Sequence, residues 1–443
     1  MCNEGFEGKL IVESQEIKTM SRRSARSRIH GASKAIRWRR LIPLLVVVVC
    51  GVPGAVGDIV SALPRVAEPA VVVIPFELVT RHILIKVRIN NSDPLWFIFD
   101  TGDKVAIVDL ERAKSLGLNL QGVANVGGAG PGTLHGSYVR EASLGVVGLE
   151  GNKQPVVLAI PLQNMQSRFG HDIDGIIGGD FIKQFVVEVD YQARVLRLYD
   201  RDKFDYSGSG EVIQTTLNSG GHPIIAAEVT AAGRPAIKGK FVVDLGSGGS
   251  LVLHRPFAEQ QGLPAPAQKT IRSLGGGGAG GQVTGRNGRI AELRIGAFRI
   301  ENPLTLFSQD KAGAFASSEL DGNIGQQILS KFKILLDYGR SRIILEPNGS
   351  LRDPIAPVAT GARFVAEGSD YRSFRVEELL EDSPASEAGL QKDDVIMTVD
   401  QRPASELTLS NLIQTLEKPA PHKLSLSRAG KTLQITLTPR RLI

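Results

Sequence analysis

The chain has 443 residues, which is too long for a single hydrophobic core and predicts two or three domains. Its formal charge is +6, but residues 1–40 alone carry ten Lys/Arg and four Asp/Glu, so the remainder is neutral and we expect no nucleic-acid binding. Glycine is frequent, aromatic residues are few, and Val/Ile-rich runs recur between glycine-rich breaks. This texture favours strands and turns, and it predicts a mainly β body.

An apolar segment follows the basic N-terminal region. Residues 41–50 are apolar and are followed by small and turn-forming residues through Gly57. This order is typical of a signal peptide, so we assign residues 1–57 to a signal peptide or an N-terminal anchor. The apolar run is shorter than the roughly 20 residues of a spanning helix, which favours cleavage over anchoring. The sequence thus predicts an exported protein, periplasmic or secreted, that contacts a membrane only if the leader is uncleaved. The only cysteines, Cys2 and Cys50, lie within or before this leader, which leaves the mature chain without a disulfide.

Residues 70–350 contain an internal repeat, in which two segments share the same order of strand-like runs and motifs. In each copy, two strand-like runs lead to an aspartate followed by a glycine: Asp-Thr-Gly at 100–102 and Asp-Leu-Gly-Ser at 244–247. Each copy continues with an apolar segment that ends in glycine, at 176–178 and 323–325, and then with two further strand-like runs. We assign the copies to two lobes, residues 70–210 and 211–350.

The two Asp-Gly turns predict a hydrolytic site. An aspartate that follows an apolar strand and precedes glycine lies on a tight turn, which presents its carboxylate at the strand end. Two such carboxylates placed face to face share a proton, because both cannot ionise cheaply. One then acts as a base toward water, and the other, protonated, polarises a scissile carbonyl. This chemistry needs no metal or other cofactor.

These motifs resemble those of the retropepsin-like aspartic peptidases, in particular bacterial members with tandem lobes and a C-terminal PDZ domain. The resemblance implies two acid-protease β-barrel lobes related by a pseudo-twofold axis and an endopeptidase that cleaves peptides or unfolded proteins. It also implies that Asp100 and Asp244 are catalytic. The residues that would support the catalytic loops are Thr101, Gly102, Leu245, Gly246 and Ser247.

The sequence departs from the family pattern at two positions. Leu245 stands where a Thr or Ser hydroxyl would help to hold the two loops together, so half of that contact is missing. Asp103 adds a third carboxylate, which would raise the pKa values of the pair. The alternative function is therefore a non-catalytic peptide-binding or scaffold protein with a degenerate aspartic peptidase fold.

Two glycine-rich stretches lie between the catalytic loops and the apolar segments. Residues 123–138 and 274–290 occupy the positions of the β-hairpin flaps that close over substrate in the family. Glycine content indicates flexibility but not purpose, so an ordinary surface loop remains the alternative.

The C-terminal part differs in texture. We assign residues 351–363, with their prolines and Gly361, to a linker and residues 364–443 to a small α/β module that resembles bacterial PDZ domains. Such domains add a peptide as an extra strand and hold its terminal carboxylate, so the partner would be a C-terminal peptide; the alternative is a structural appendage. The predicted peptide-binding residues are Tyr371, Ser373, Phe374 and Val376.

Three other signals lead to no function. The glycine run at 275–280 has dinucleotide-binding spacing but no following helix. The seven histidines show no metal-ligand spacing, so we predict no metal site. No Gly-x-Ser-x-Gly element of a serine hydrolase is present.

Overall fold

The structure, a computed structural model, describes residues 70–443 apart from Val147 and Pro155. The leader predicted at 1–57 lies outside the described residues. Within the described part, no helix is long and apolar enough to cross a membrane. The fold is mainly β, as predicted, and its strands form two lobes and a C-terminal module.

Lobe 1 contains thirteen strands and three short helices. Strands β1 to β13 are, in chain order, Val72–Pro75, Glu77–Val79, His82–Ile89, Leu95–Phe99, Ala106–Asp109, Asn119–Val126, Leu134–Arg140, Ser143–Val146, Leu149–Lys153, Val157–Ile160, Gly175–Ile177, Phe185–Asp190 and Val195–Asp200. Helices α1 to α3 are Leu110–Ser115, Gln163–Phe169 and Gly179–Ile182.

Lobe 2 repeats this plan from Glu211 onward. Strands β14 to β27 are Glu211–Leu217, Pro223–Thr230, Ile237–Val243, Leu251–Leu253, Ile271–Arg272, Gly277–Gly278, Gly281–Gln282, Gly285–Arg289, Glu292–Ile295, Phe298–Glu301, Leu304–Ser308, Gly322–Ile324, Phe332–Asp337 and Arg342–Pro347. Helices α4 and α5 are Arg255–Gln260 and Gln326–Leu329, and short 3-10 turns occupy Ala314–Ala316 and Tyr338–Arg340.

The apolar segments predicted in each copy thread beside the strands that end in aspartate. β11 pairs in parallel with β4, aligning Ile177 with Phe99, and β25 pairs in parallel with β16, aligning Ile324 with Val243. The same strands pair antiparallel with β5 and β17, which follow the aspartate turns. Each turn is therefore enclosed between strands most of whose side chains are buried.

The lobes share a continuous sheet. β12 of lobe 1 pairs antiparallel with β26 of lobe 2, so that Val187 lies opposite Leu336 and Val189 opposite Ile334. These four side chains are at most 1% exposed and belong to one hydrophobic core that extends through both lobes. The shared core holds the two aspartate turns at the lobe boundary.

The C-terminal module has its own sheet and core. Strands β28 to β33 are Ala362–Glu367, Ser373–Leu379, Val395–Val399, Arg402–Pro403, His422–Arg428 and Lys431–Leu437; helices α6 and α7 are Pro384–Glu387 and Leu409–Leu416, with a 3-10 turn at Ala404–Glu406. The main strand order is β28-β29-β30-β32-β33, which leaves β28 at one edge. Strand β28 begins inside the stretch predicted as a linker. That stretch is also anchored, because Ile355 is buried in the core of the lobes.

Candidate active site

Asp100 and Asp244 occupy equivalent turns at the ends of β4 and β16. The backbone N–H of Asp100 donates to the carbonyl of Ile177, and that of Asp244 donates to the carbonyl of Ile324, each over 3.0 Å. Because these isoleucines lie on the threading strands, each turn is fixed by a main-chain hydrogen bond. The two predicted aspartates thus end buried strands at matching places.

The two carboxylates meet at the loop glycines. Gly102 N–H donates to Asp100 Oδ1 over 2.6 Å, and Gly246 N–H donates to Asp244 Oδ1 over 3.1 Å. A Cβ at Gly102 would lie 2.8 Å from Asp244 Oδ1 and 3.0 Å from Asp100 Oδ1, and a Cβ at Gly246 would overlap the Asp100 carboxylate. Both positions need glycine because the carboxylates approach the backbone there. The structure brings the predicted pair into one site.

The pair is electrostatically unequal. Burial raises the pKa of Asp100 well above its usual range, and the charges of Asp103 and Asp244 raise it further. Burial also raises the pKa of Asp244, but a hydrogen bond from Asn323 and two backbone N–H groups oppose that shift. The hydrogen bond from Asn323 therefore favours the charged form of Asp244. Asp103 is a third weak acid beside them, since burial and the Asp244 charge raise its pKa to about 6.

Asn323 and His254 form a polar pair behind Asp244 that the sequence analysis missed. Asn323 Nδ2 donates to Asp244 Oδ2 over 2.7 Å, and Asn323 Oδ1 lies 2.8 Å from His254 Nε2. The His254 ring is 2% exposed, and burial lowers its pKa, so the neutral ring donates its Nε2–H to the amide oxygen. The equivalent position in lobe 1 is Ile176, which has no donor. The difference between apolar Ile176 and polar Asn323 at equivalent positions of the two copies could have indicated this polar pair.

The predicted loop-support residues make unequal contacts across the lobe boundary. The Thr101 hydroxyl donates to the carbonyl of Val243 over 2.5 Å and accepts from the N–H of Leu245 over 2.9 Å. Leu245 returns no such side-chain bond and is fully buried instead. Ser247 supports its own loop through its backbone, with its N–H donating to the carbonyl of Asp244 over 3.3 Å.

The two glycine-rich stretches, which we call flap 1 (residues 123–138) and flap 2 (residues 274–290), touch each other. Gly130 N–H donates to the carbonyl of Ala279 over 3.0 Å, and Gly132 N–H donates to that of Gly280 over 2.8 Å. The flap tips therefore form a backbone bridge between the lobes.

The described residues contain no group of three or more His, Cys, Asp or Glu side chains arranged to hold a metal ion.

The free edge of the sheet in the C-terminal module lies on a different strand from most of the predicted peptide-binding residues. Phe374 and Val376 lie on β29, which is flanked by β28 and β30, and both side chains are fully buried. A peptide cannot add to an interior strand, so Ser373, Phe374 and Val376 on β29 offer no free edge, while Tyr371 lies in the loop before β29. The edge strand is β28, and α7 packs beside it. The sequence pattern identified the strands but not their order in the sheet.

Two protein-family models match the lobes and the C-terminal module. An aspartyl protease family model matches residues 85–181 and 227–328, one segment in each lobe, and a PDZ domain model matches residues 361–427. No curated protein sequence matched the chain significantly. Among solved structures, basic 7S globulin from soybean aligns with 64% of this chain and 97% of its own at 10% identity, with a TM-score of 0.37. The HtrA3 PDZ domain bound to a phage-derived ligand (FGRWV) aligns with 18% of this chain and 83% of its own at 23% identity, with a TM-score of 0.17.

Proposed function

The chain combines two aspartyl protease segments with a C-terminal PDZ domain, and we propose that it is an aspartic endopeptidase whose dyad is Asp100 and Asp244. The observation that carries this proposal is the convergence of both carboxylates on the loop glycines, where a Cβ at Gly102 would lie within 3.0 Å of an oxygen of each. Substrates of this chemistry are peptides or unfolded protein segments extended enough to enter between the lobes and the flaps.

The different hydrogen bonding of the two aspartates suggests which one is the base and which one is the acid. Asp244, which receives the hydrogen bond from Asn323, is the ionised base and takes a proton from a water molecule held between the carboxylates. The oxygen of that water attacks the scissile carbonyl carbon while protonated Asp100 donates its proton to the carbonyl oxygen. The proton on Asp244 then passes to the amide nitrogen as the C–N bond breaks, and Asp100 recovers a proton as the carbonyl re-forms. No covalent intermediate is required.

The PDZ domain would recruit or position peptide chains. A family-typical ligand adds to the edge of a PDZ sheet as an extra strand. Here that edge is β28, whose ladder partner among the described residues is β29 alone. We propose that C-terminal or extended segments of substrates bind along β28.

The place of action that we propose is outside the cytoplasm. Its support is the order of basic, apolar and small residues in the first 57 positions. A peptidase that acts on unfolded chains would there meet exported proteins.

A peptide-library digest tests the proposed chemistry. The purified chain is incubated between about pH 4 and about pH 7, the range in which a coupled carboxylate pair shares one proton, beside Asp100→Asn and Asp244→Asn. Cleavage by the parent and its loss in both variants is expected, while Asp93→Asn, in the exposed loop between β3 and β4, should cleave normally. Cleavage that survives both substitutions would refute the dyad. No cleavage by the parent at any pH would favour the non-catalytic peptide-binding alternative.

A further inference from the structure

The contact between the two catalytic loops is one-sided. The Thr101 hydroxyl bonds to the backbone on both sides of Asp244, but Leu245 cannot return these bonds to the first loop. Lobe 2 must therefore secure its loop by other means if Asp244 is to stay opposite Asp100.

Two buried side chains connect lobe 1 to the second catalytic loop through consecutive hydrogen bonds. The Tyr191 hydroxyl donates to Gln326 Oε1 over 2.5 Å, and Gln326 Nε2 donates to the carbonyl of Leu245 over 2.7 Å. Tyr191 follows β12 of lobe 1 and is 7% exposed, and Gln326 opens α5 of lobe 2 and is 1% exposed. A lost bond here would leave a buried polar atom unpaired, which is costly.

The loop of Asp100, on the other side of the pseudo-twofold axis, has no equivalent pair of hydrogen-bonded side chains. Gly179 opens α3 where Gln326 opens α5, so it offers no side chain to the loop of Asp100. Tyr338 follows β26 as Tyr191 follows β12, and its buried hydroxyl has no hydrogen-bond partner among the described residues. These two hydrogen bonds thus support only the loop of Asp244, in which Leu245 supplies no hydroxyl.

We propose that Tyr191 and Gln326 are positioning residues that replace the missing Leu245 hydroxyl and hold Asp244 in register with Asp100. This inference rests on the proposed dyad. Neither residue contacts the reacting atoms; both act through the backbone carbonyl of Leu245.

The test compares Tyr191→Phe with Tyr338→Phe, which removes an equivalent but unpartnered hydroxyl. We expect Tyr191→Phe to lower kcat on the order of tenfold with little change in KM and to lower the thermal midpoint, since one buried hydrogen bond is lost. Tyr338→Phe should leave the thermal midpoint unchanged, because its hydroxyl has no hydrogen-bond partner to lose. Adding Leu245→Thr to Tyr191→Phe should restore most of kcat, because the loop regains its own hydroxyl. A merely structural tyrosine would lose stability without this rescue.

Two outcomes separate the inference from the function on which it rests. Equal behaviour of Tyr191→Phe and Tyr338→Phe, or no rescue by Leu245→Thr, overturns the positioning role. A parent chain that cleaves nothing refutes the proposed function and, with it, this role in catalysis, even where the two thermal midpoints differ.

An independent observation concerns the PDZ edge. The end of α2 covers it, since a Cβ at Gly170 would lie 3.2 Å from the Cβ of Ala366 on β28 and 2.7 Å from that of Leu409 on α7. The Tyr371 hydroxyl also lies 3.3 Å from Asp172 Oδ1, just beyond α2. The groove between β28 and α7 is thus occupied by a segment of lobe 1.

The same edge strand holds the base of flap 2. Arg363 Nη1 donates to the carbonyl of Leu274 and to that of Gly275, the latter over 3.1 Å. The Arg363 side chain is 16% exposed and is also paired with Glu378, which in turn pairs with Arg272 beside the flap. Strand β28 therefore contacts α2 along one edge and flap 2 through Arg363.

We propose that the PDZ domain latches flap 2, so that a peptide adding to β28 must displace α2 and in doing so loosens the flap. Peptide binding at the PDZ edge and opening of the cleft would then be coupled, because one strand carries both contacts.

Hydrogen exchange tests the latch without any ligand. Arg363→Met keeps the side-chain length but removes the donors, and we expect amide exchange in residues 274–290 to become at least severalfold faster. Arg375→Met is the matched control, because Arg375 on β29 pairs with Glu367 and Asp393 inside the same domain. Unchanged exchange in the flap, or equal acceleration in both variants, would overturn the latch.

Discussion

Asn323 makes the two aspartates chemically unequal although they occupy equivalent turns. It gives Asp244 a side-chain donor at 2.7 Å, and the matching residue of lobe 1, Ile176, gives Asp100 none. Hydrogen bonding to a carboxylate favours its charged form and so opposes the rise in the pKa of Asp244 that burial causes. In the proposed mechanism, Asn323 thus helps to decide which carboxylate is the base.

We predict that Asn323→Leu moves the acid limb of the pH profile of kcat/KM upward. Without the donor, the pKa of Asp244 rises, so a higher pH is needed to ionise the base. The expected shift is about one to two pH units, because a hydrogen bond to a charged group contributes about 1.5 to 3 kcal/mol and one pKa unit corresponds to about 1.4 kcal/mol. The measurement is kcat/KM against pH, which reports the free enzyme. Ile176→Val should leave the limb in place, and an unmoved limb in Asn323→Leu would remove Asn323 from this role.

At this scale the sequence predicted part of the site. The aspartates and glycines could be recognised because they match the short Asp-x-Gly motif. Leu245 could be recognised because it departs from the family pattern at one position. Asn323 and Gln326 were not predicted, because their side chains meet the catalytic loop only once β25 lies beside β16 in the folded chain. Comparison of the two copies, in which Ile176 and Gly179 stand at these positions, carried the signal.

At the scale of elements, the flaps are the features most open to experiment. Their tips are joined by backbone hydrogen bonds between Gly130 and Ala279 and between Gly132 and Gly280. Such a close approach of two backbones leaves no room for side chains. A Cβ at Gly130 would lie 2.5 Å from the carbonyl carbon of Gly280.

We predict that Gly130→Ala lowers kcat/KM on the order of tenfold while the thermal midpoint stays near that of the parent. The added methyl group pushes the tips apart, and a displacement of about 1 Å at a positioning element is enough for a loss of this size. Gly127→Ala is the control, since its Cβ would meet nothing within 4 Å. Equal activity of the two variants would show that contact between the tips is not needed for turnover, and would favour the surface-loop interpretation.

The strands of the PDZ domain could be predicted, but its binding edge could not. Phe374 and Val376 alternate with polar residues, so β29 was recognisable as a half-buried strand. Whether a strand lies inside a sheet or at its edge depends on pairings between distant segments, and the pairing of β29 with both β28 and β30 is not written in its own sequence. Three of the four predicted peptide-binding residues, Ser373, Phe374 and Val376, therefore lie on the interior strand β29.

At the scale of the whole molecule, the repeat predicted two lobes but not their dependence on each other. Each copy carries its own aspartate turn and threading strand, which suggests two self-sufficient domains. The structure instead joins them through β12 and β26, with Val187 opposite Leu336, and one core runs through both lobes. The copies are therefore halves of one folding unit, as the geometry of a shared site requires.

We predict that residues 70–210 expressed alone self-associate, whereas residues 70–350 remain monomeric. Removal of lobe 2 exposes the edge of β12 with its buried apolar residues, and an unpaired apolar edge strand is a template for pairing with another chain. The 70–350 fragment keeps that pairing, and the PDZ domain has a separate core of its own. Light scattering after size-exclusion chromatography measures both masses, and addition of residues 211–350 to lobe 1 should restore a stable heterodimer. A monomeric lobe 1 with a sharp unfolding transition would mean that the shared sheet is not what holds the two aspartates together.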